Sequence, residues 1–554
     1  MEHRLWHASY PTGMATDIAL PADETLVTLL ARAVRTHGDA TAATCLGESL
    51  SFAQLGVLSD GLAGHLQSLD LAKGDRVALM MPNCLAYLVT LAGVLKAGMV
   101  AVTVNPQYTA REVEHQLRDA GARCVVVSEN LADALQAGMT DCDVQHILLA
   151  PLADLRASTD ATGVVAGNEA LASGPFGVSR LSLAHAIAWG AKAGLAPVTV
   201  RPTNPAFLQY TGGTTGVSKG AVLTHASFGA SLAQIRLWIE QAGPMQGKSM
   251  VTPLPLYHVY PLAMAFFALD AGAENRLVQN PRDVPKFIEE LQRAPFEILI
   301  GVNTLFNALV ASPELSAVDF SRTRLVAGAG ASIQSAVAQR WVAAGAPAIT
   351  EAYGLTETSP SVTFNPPGRN GTIGRAVPST DVLIVDDSDR PVAIGERGEL
   401  LIKGPQVFAG YWNRPDETRR AFTADGWFRT GDVVTMDAEG YMYVVDRKKD
   451  MILVSGFNVY PNEIEGVVAM MAEVVECACI GVPDERSGEV PHLFVVSRQP
   501  ELSADAIRAH CRGNLAAYKV PKHVSFVPAL PKSTVGKILR KELRQPAATA
   551  AAAA

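Results

Sequence analysis

A chain of 554 residues is long enough for roughly three or four domain-sized units. Its 48% hydrophobic and 18% charged content describes a globular chain with a large core and excludes intrinsic disorder. A net charge of −8 excludes a non-specific nucleic-acid binder, which needs a basic stripe.

The chain starts Met-Glu-His-Arg-Leu-Trp-His, without an apolar run of signal-peptide length. Seven dispersed cysteines form no CxxC pair, which predicts a reducing compartment without disulfides or structural zinc. The expected location is cytoplasmic, with peripheral contact at the inner face of the cell membrane left open. Apolar periodicity predicts a helix over Thr25–His37. Arg76–Met80 reads as a strand, Leu85–Lys96 as a helix and Met99–Val104 as a strand. Arg111–Gly121 follows as a helix and Cys124–Ser128 as a strand. This rhythm favours parallel sheets covered by helices, an α/β fold. The run Leu85–Val104 fails as a membrane span because it contains Lys96 and Gly98, and Pro255–Gly272 fails with His258, Pro261 and Asp270. Residues 151–195 are Ala/Gly/Ser-rich and read as variable and partly loop. No internal repeat is visible.

Ala206–Tyr210 reads as a short buried strand. After it, Thr211, Gly212, Gly213, Thr214, Thr215, Gly216, Ser218 and Lys219 form a loop suited to phosphate. Glycine lets backbone N–H groups approach phosphate oxygens, and Lys219 adds a mobile positive charge. The loop is not a Walker A, because Ser218 precedes and Gly220 follows the lysine. Val251–Tyr260 carries His258 between aromatics at the end of an apolar run. Leu325–Ser332 is a strand ending in Gly328, Ala329 and Gly330, small enough for a flat ring to approach. Glu351–Thr358 packs Tyr353, Gly354, Thr356 and Glu357 into a short span. From about residue 380 short strands suggest a small β subdomain. Gly426–Asp432 ends a loop in a carboxylate. The charged run Asp446–Asp450 precedes about a hundred residues of α+β pattern, enough for a small domain. Within it, Pro531–Arg540 is a basic loop bearing Lys537, and 546–554 is an Ala-rich tail expected to be disordered.

Singly, each segment has a dull explanation, such as a core histidine or a solvated charge run. In this order, they resemble the adenylate-forming superfamily of acyl-CoA synthetases, peptide-synthetase adenylation domains and beetle luciferases. Within it the chain is most similar to bacterial long-chain fatty acyl-CoA synthetases, from about Trp6 to Leu543. The segments Phe207–Gly216, Asn280–Asp283, Gly301–Leu309 and Val445–Glu465 carry that likeness. The implied fold is a large N-terminal domain over 1–445, with parallel-rich sheets and a β subdomain. A hinge at 446–449 and a small, mobile α+β C-terminal domain at 450–545 complete it.

The resemblance implies that a fatty acid, ATP and CoA are the partners, with Mg²⁺ as cofactor. A carboxylate would attack the α-phosphate of ATP, and CoA would then displace AMP from the acyl-adenylate. Thr211 through Lys219 would grip the pyrophosphate end, and Thr356 the α-phosphate. Glu357 would hold Mg²⁺. Tyr353 would stack on adenine opposite Gly328, Ala329 and Gly330, with Gly354 beside them. Asp432 and Arg447 would take the ribose. Lys537 would bridge carboxylate and α-phosphate, and His258 would position the carboxylate. Ser455, Gly456 and Phe457 would approach CoA after a domain rotation about Lys449. Tyr257, Val259, Gly301 and Val302 would line the acyl tunnel, along Pro261–Leu269 and Gly301–Val310. Medium to long fatty acids are the expected substrates, and a homodimer is left open. Two relatives in fold are the alternatives: an aryl-CoA ligase, or a free-standing acyl-AMP ligase loading a carrier protein. A non-catalytic nucleotide- or acyl-binding protein is the reading from another class.

Overall fold

A computed structural model of the chain describes residues 4–152, 178–211, 218–366, 369–455, 457–533 and 536–544. The chain divides into two compact units. The larger comprises His7–Asp381 and Lys403–Gly426; the smaller comprises Met1–Trp6, Val382–Ile402 and Trp427–Ala554.

Two sheets build the larger unit. Among the described residues, one has seven strands, ordered Ser179–Ser182, His146–Ala150, Ala122–Ser128, Arg76–Met80, Val100–Thr103, Pro205–Thr211 and Lys219–Thr224. Only the last runs antiparallel to its neighbour. The other has nine strands, with a parallel centre of Ile349–Tyr353, Leu325–Gly328, Ile298–Gly301, Ser249–Thr252, Glu274–Leu277 and Thr41–Cys45. The α/β architecture expected from the strand–helix rhythm is therefore present. Helix Leu85–Lys96 is buried from Leu85 to Leu95 and packs against strands of both sheets. That all-round burial follows from its all-round apolar sequence. Helix Leu26–His37 begins where the Thr25 hydroxyl accepts the Thr28 N–H at 3.1 Å.

Where it is described, the stretch 151–195, read as variable and partly loop, contains regular structure. Strand Ser179–Ser182 leads into helix Leu183–Ala193, which packs on helix Phe52–Ser68. The two approach through glycine: a Cβ on Gly190 would lie 1.9 Å from the Gly61 carbonyl oxygen. Such contact needs small residues, and small residues weaken the apolar periodicity by which a helix is read.

In the smaller unit, Asp381–Val385, Gly398–Lys403, Phe428–Met436 and Met442–Arg447 form an antiparallel sheet. A second sheet of Ile452–Val454, Phe457–Val459, Val474–Asp484, Gly488–Ser497 and His523–Phe526 carries helices Pro461–Val468 and Ala504–Asn514. Ile452, Val459, Ile464, Val468, Leu493 and Ile507 are buried in its core. No helix among the described residues is long and apolar enough to cross a membrane.

Candidate active site

The phosphate-loop sequence connects a β-hairpin. Strands Pro205–Thr211 and Lys219–Thr224 pair antiparallel, with Thr211 opposite Lys219 and Tyr210 opposite Gly220. Gly212, Gly213, Thr214, Thr215 and Gly216 lie outside the described residues. The hairpin is braced at its base: the Tyr210 hydroxyl donates to Asp119 at 2.7 Å, and Arg414 binds the other oxygen of Asp119 at 2.8 Å.

A strap at 409–412 runs along the second hairpin strand. Ala409 N–H donates to Val222 O at 3.0 Å, Val222 N–H to Gly410 O at 2.9 Å, and Trp412 N–H to Gly220 O at 2.8 Å. It brings Tyr411 between two residues chosen from separate motifs. The Tyr411 hydroxyl donates to Glu357 Oε1 at 2.8 Å, and the Lys219 ammonium lies 5.2 Å from the Tyr411 ring centroid. Lys219 is also ion-paired with Glu417, on helix Pro415–Ala421. Burial, then the Glu357 charge, pushes the Tyr411 hydroxyl well up from its ordinary pKa, so it stays a proton donor. Neither Tyr411 nor Glu417 was selected from sequence. The only signals were Gly410-Tyr411-Trp412 and a proline opening a short helix.

The residues expected to form the adenine and acyl walls leave adjacent parallel strands. Gly301 is in register with Gly328, and Gly328 with Glu351. Val302, Ala329 and Ala352 therefore stand at one level, with Tyr353 one residue further on, at carboxyl strand ends where open α/β sheets place their ligands. Glu351 is buried and holds two loops around this edge. Its carboxylate accepts the Ile333 N–H at 3.1 Å and the Gly371 N–H at 2.9 Å. Burial raises its pKa and the two N–H bonds oppose the rise.

Thr356 and Glu357 sit in the 3₁₀ turn Thr356–Thr358. Gly354 precedes it where the backbone passes so close that a Cβ would lie 1.3 Å from the Pro360 oxygen. Gly354→Ala is expected to cost about 2 kcal/mol or more through overpacking and to displace Tyr353. Thermal unfolding and the KM for ATP would report both changes.

His258 caps helix Val259–Asp270, its Nδ1 accepting the Tyr260 N–H at 3.4 Å. The turn carrying it is pinned from the seven-stranded sheet. Buried Asn83 donates through Nδ2 to the carbonyls of Thr252, Leu254 and Val278 at 3.3, 2.9 and 3.1 Å, and accepts the Leu256 N–H at 2.9 Å. Thr103 Oγ1 reaches the Tyr257 carbonyl at 2.9 Å. The Tyr260 hydroxyl donates to Ala327 O at 3.2 Å, tying this turn to strand Leu325–Gly328. Asn83 escaped sequence reading because a single asparagine in a turn carries no pattern.

In the smaller unit, Asp432 corrects the view that it closes a loop. It lies within strand Phe428–Met436, directly opposite Arg447, because Gly431 sits inside the strand rather than at a turn. Arg447 Nε is 3.1 Å from Asp432 Oδ1, and Asp432 is 3% exposed. Together with Thr430, Gly431, Lys448 and Lys449 they line a cavity of about 330 Å³. Lys448 is not merely a solvated charge: it lies 3.0 Å from Asp387 and 3.3 Å from Glu399. Lys449 is exposed in area, yet its ammonium is pressed down to about 8, first by partial dehydration and then by Arg447, with Lys537 adding to the effect.

Lys537 is exposed on a turn closed by Ser533, whose N–H donates to the Lys537 carbonyl at 2.7 Å and whose hydroxyl accepts the Lys537 N–H at 3.1 Å. Arg540 anchors the turn, donating to both oxygens of Glu465 at 2.8 Å and to Asn462 at 2.9 Å. Ser455 adopts a φ of 49°, and its N–H donates to Ser487 O at 2.7 Å. Gly456 lies outside the described residues. Phe457 is exposed and stacks on Tyr518, ring centroids 4.8 Å apart.

Burial pushes the thiols of Cys45, Cys84 and Cys124 up to about 12 and raises those of Cys142, Cys477, Cys479 and Cys511. None of these is poised as a thiolate nucleophile.

Comparison with known proteins matches residues 30–412 to the AMP-binding enzyme family and 463–537 to the AMP-binding enzyme C-terminal domain. The chain is 46% identical to a long-chain-fatty-acid–CoA ligase of Salmonella typhimurium over 98% of each protein. It is 43% identical to one from Haemophilus influenzae, again over 98% of each. Among solved structures, ATP-bound MatB from Rhodopseudomonas palustris superimposes with a TM-score of 0.80 at 29% identity, covering 94% of this chain and 98% of that one.

Proposed function

Because the chain belongs to the AMP-binding enzyme family, we propose that it joins a long-chain fatty acid to CoA at the expense of ATP, releasing AMP and pyrophosphate. The observation that carries this reading is the full-length likeness to long-chain-fatty-acid–CoA ligases. Adenylation comes first. An oxygen of the fatty carboxylate attacks the α-phosphorus, and the bond to the bridging oxygen of pyrophosphate breaks. The carboxylate is already ionised at neutral pH, so His258 positions it and removes no proton. In the second step the CoA sulfur attacks the acyl carbon, and AMP leaves with the bonding electrons.

An anion meeting a polyanion needs positioning and neutralised charge more than acid–base chemistry. Lys219 and the hairpin loop neutralise the pyrophosphate end, Thr356 holds the α-phosphate, and Lys537 spans carboxylate and phosphate. Tyr353 and the Gly328–Gly330 edge clasp adenine, while Asp432 and Arg447 take the ribose hydroxyls. Ser455, Gly456 and Phe457 serve the CoA step. The acyl chain lies along Tyr257, Val259, Gly301 and Val302.

Glu357 fits a role toward Mg²⁺. Its carboxylate is half-buried, with Oε1 oriented by Tyr411. Among the described residues no cluster of three acidic, histidine or cysteine side chains could hold a metal alone. One carboxylate plus substrate phosphates is a usual way to hold this ion. When bound, Mg²⁺ would neutralise charge on the phosphates.

The substrate class is tested by kcat/KM across saturated acids from acetate upward. Values should rise with chain length into the long-chain range, since each buried methylene contributes about 0.8 kcal/mol. A maximum at acetate or at an aromatic acid would reject it.

A further inference from the structure

The hairpin strand that leads to the phosphate loop carries one further buried polar group, Gln209. Residues alternate in facing along a strand, so Phe207 and Gln209 share a face. Phe207 packs on Phe228 and Phe266 with ring centroids 4.8 and 6.0 Å apart, and Phe266 belongs to helix Val259–Asp270. Gln209 lies two residues nearer the phosphate loop. It is 2% exposed. Its Oε1 lies 3.0 Å from Thr103 Oγ1, and that hydroxyl lies 2.9 Å from the Tyr257 carbonyl oxygen. Gln209 Nε2 has no hydrogen-bond partner among the described residues.

Thr103 has one hydroxyl proton and two acceptors within reach, so it serves one of them. Turned end for end, the Gln209 amide would donate to Thr103 Oγ1, and Thr103 would donate to Tyr257. With the amide as it stands, both Gln209 N–H groups are open among the described residues, whereas the flipped amide would turn Oε1 toward that position. Buried polar groups are nearly always hydrogen-bonded, so an open buried donor asks for a ligand. The N-terminus of helix Val259–Asp270, which follows Tyr257, favours negative charge. Through Thr103, Gln209 joins the strand that leads to the phosphate loop with Tyr257, a residue expected to line the acyl tunnel; a carboxylate reaching an α-phosphate must stand where these two regions meet. A neutral amide suits this place, because it orients one carboxylate oxygen without cancelling the charge that makes the other nucleophilic.

We propose that Gln209 donates a hydrogen bond to the carboxylate of the acid being activated, holding it at the head of helix Val259–Asp270 beside His258. The proposal rests on the fatty acyl-CoA synthetase reading. Gln209→Met keeps the side-chain length and removes the donor. Calorimetric binding to the full-length chain would compare palmitate with hexadecanol. Palmitate should bind about tenfold more weakly to the variant, the usual effect of losing a hydrogen bond to a charged group, with hexadecanol unchanged. The KM for palmitate should rise while the KM for ATP holds. Equal weakening for acid and alcohol, or no weakening, overturns the proposal. Gln209→Glu is a near-isosteric second variant. It should repel palmitate at alkaline pH and recover affinity as the pH falls and the new carboxyl is protonated; a pH-independent affinity contradicts the proposal. If the unsubstituted protein activates no fatty acid, the underlying reading fails. If it activates palmitate normally but Gln209→Met binds both ligands as before, only this inference fails.

Discussion

Lys537→Ala is expected to lower fatty-acid-dependent ATP–pyrophosphate exchange by about 10²- to 10³-fold, the range seen when one preorganised charge stabiliser is removed. Thioester formation from preformed acyl-adenylate and CoA should stay close to the unsubstituted rate. The asymmetry follows from the role proposed for the ammonium. It stabilises charge that builds up as carboxylate and α-phosphate converge, and that charge is absent once the adenylate exists. The variant should fold. Lys537 is exposed, and its turn is held by backbone and Ser533 bonds and by the Arg540–Glu465 pair, none of which uses the Lys537 side chain. Equal loss of both half-reactions would contradict this role.

Lys449→Pro should produce the opposite split: adenylation nearly intact, thioester formation lost by a comparable factor. Proline fixes φ near −65° and restricts the residue before it, so a chain that must change dihedrals at this point is locked in one state. The local structure isolates the proposed pivot well. Arg447 ends a strand against Asp432, and Lys448 N–H donates to Gly431 O at 2.9 Å. Asp450 is buried and bound by Arg544 at 3.0 Å. Lys449 thus stands between two anchored neighbours. Rapid-quench measurement of each half-reaction separates the outcomes, and a matching loss in both would remove Lys449 from the pivot.

The parts that could be read from sequence were those with local patterns. Helix Leu85–Lys96 and strand Arg76–Met80 appear over the residues expected, because burial on all sides leaves an unbroken apolar run. Helix Leu183–Ala193 was missed, since its tight packing demands glycine and alanine, which read as loop. Boundaries shift where charge and strand overlap: strand Met442–Arg447 runs into the charged segment 446–449, which carries Arg447 into the pairing with Asp432.

The candidate site divided along the same line. Glu357, Lys219, Tyr353 and Asp432 stand in motifs dense in glycine, hydroxyl and charge. Tyr411 and Asn83 act through partners remote in sequence. The Tyr411 bond to Glu357 spans 54 residues, and the Asn83 bonds span 169 to 195. Nothing local distinguishes such residues from core or turn formers. Their contribution appears only when strands from two sheets are laid out in register.

The most direct measurement supplies the purified protein with ATP, Mg²⁺, palmitate and free CoA, and identifies every product by mass. Palmitoyl-CoA, AMP and pyrophosphate in equal amounts are the expected result, with palmitoyl-adenylate appearing when CoA is withheld. Release of ADP and phosphate, or palmitoyl-adenylate that never transfers to free CoA, would contradict the account.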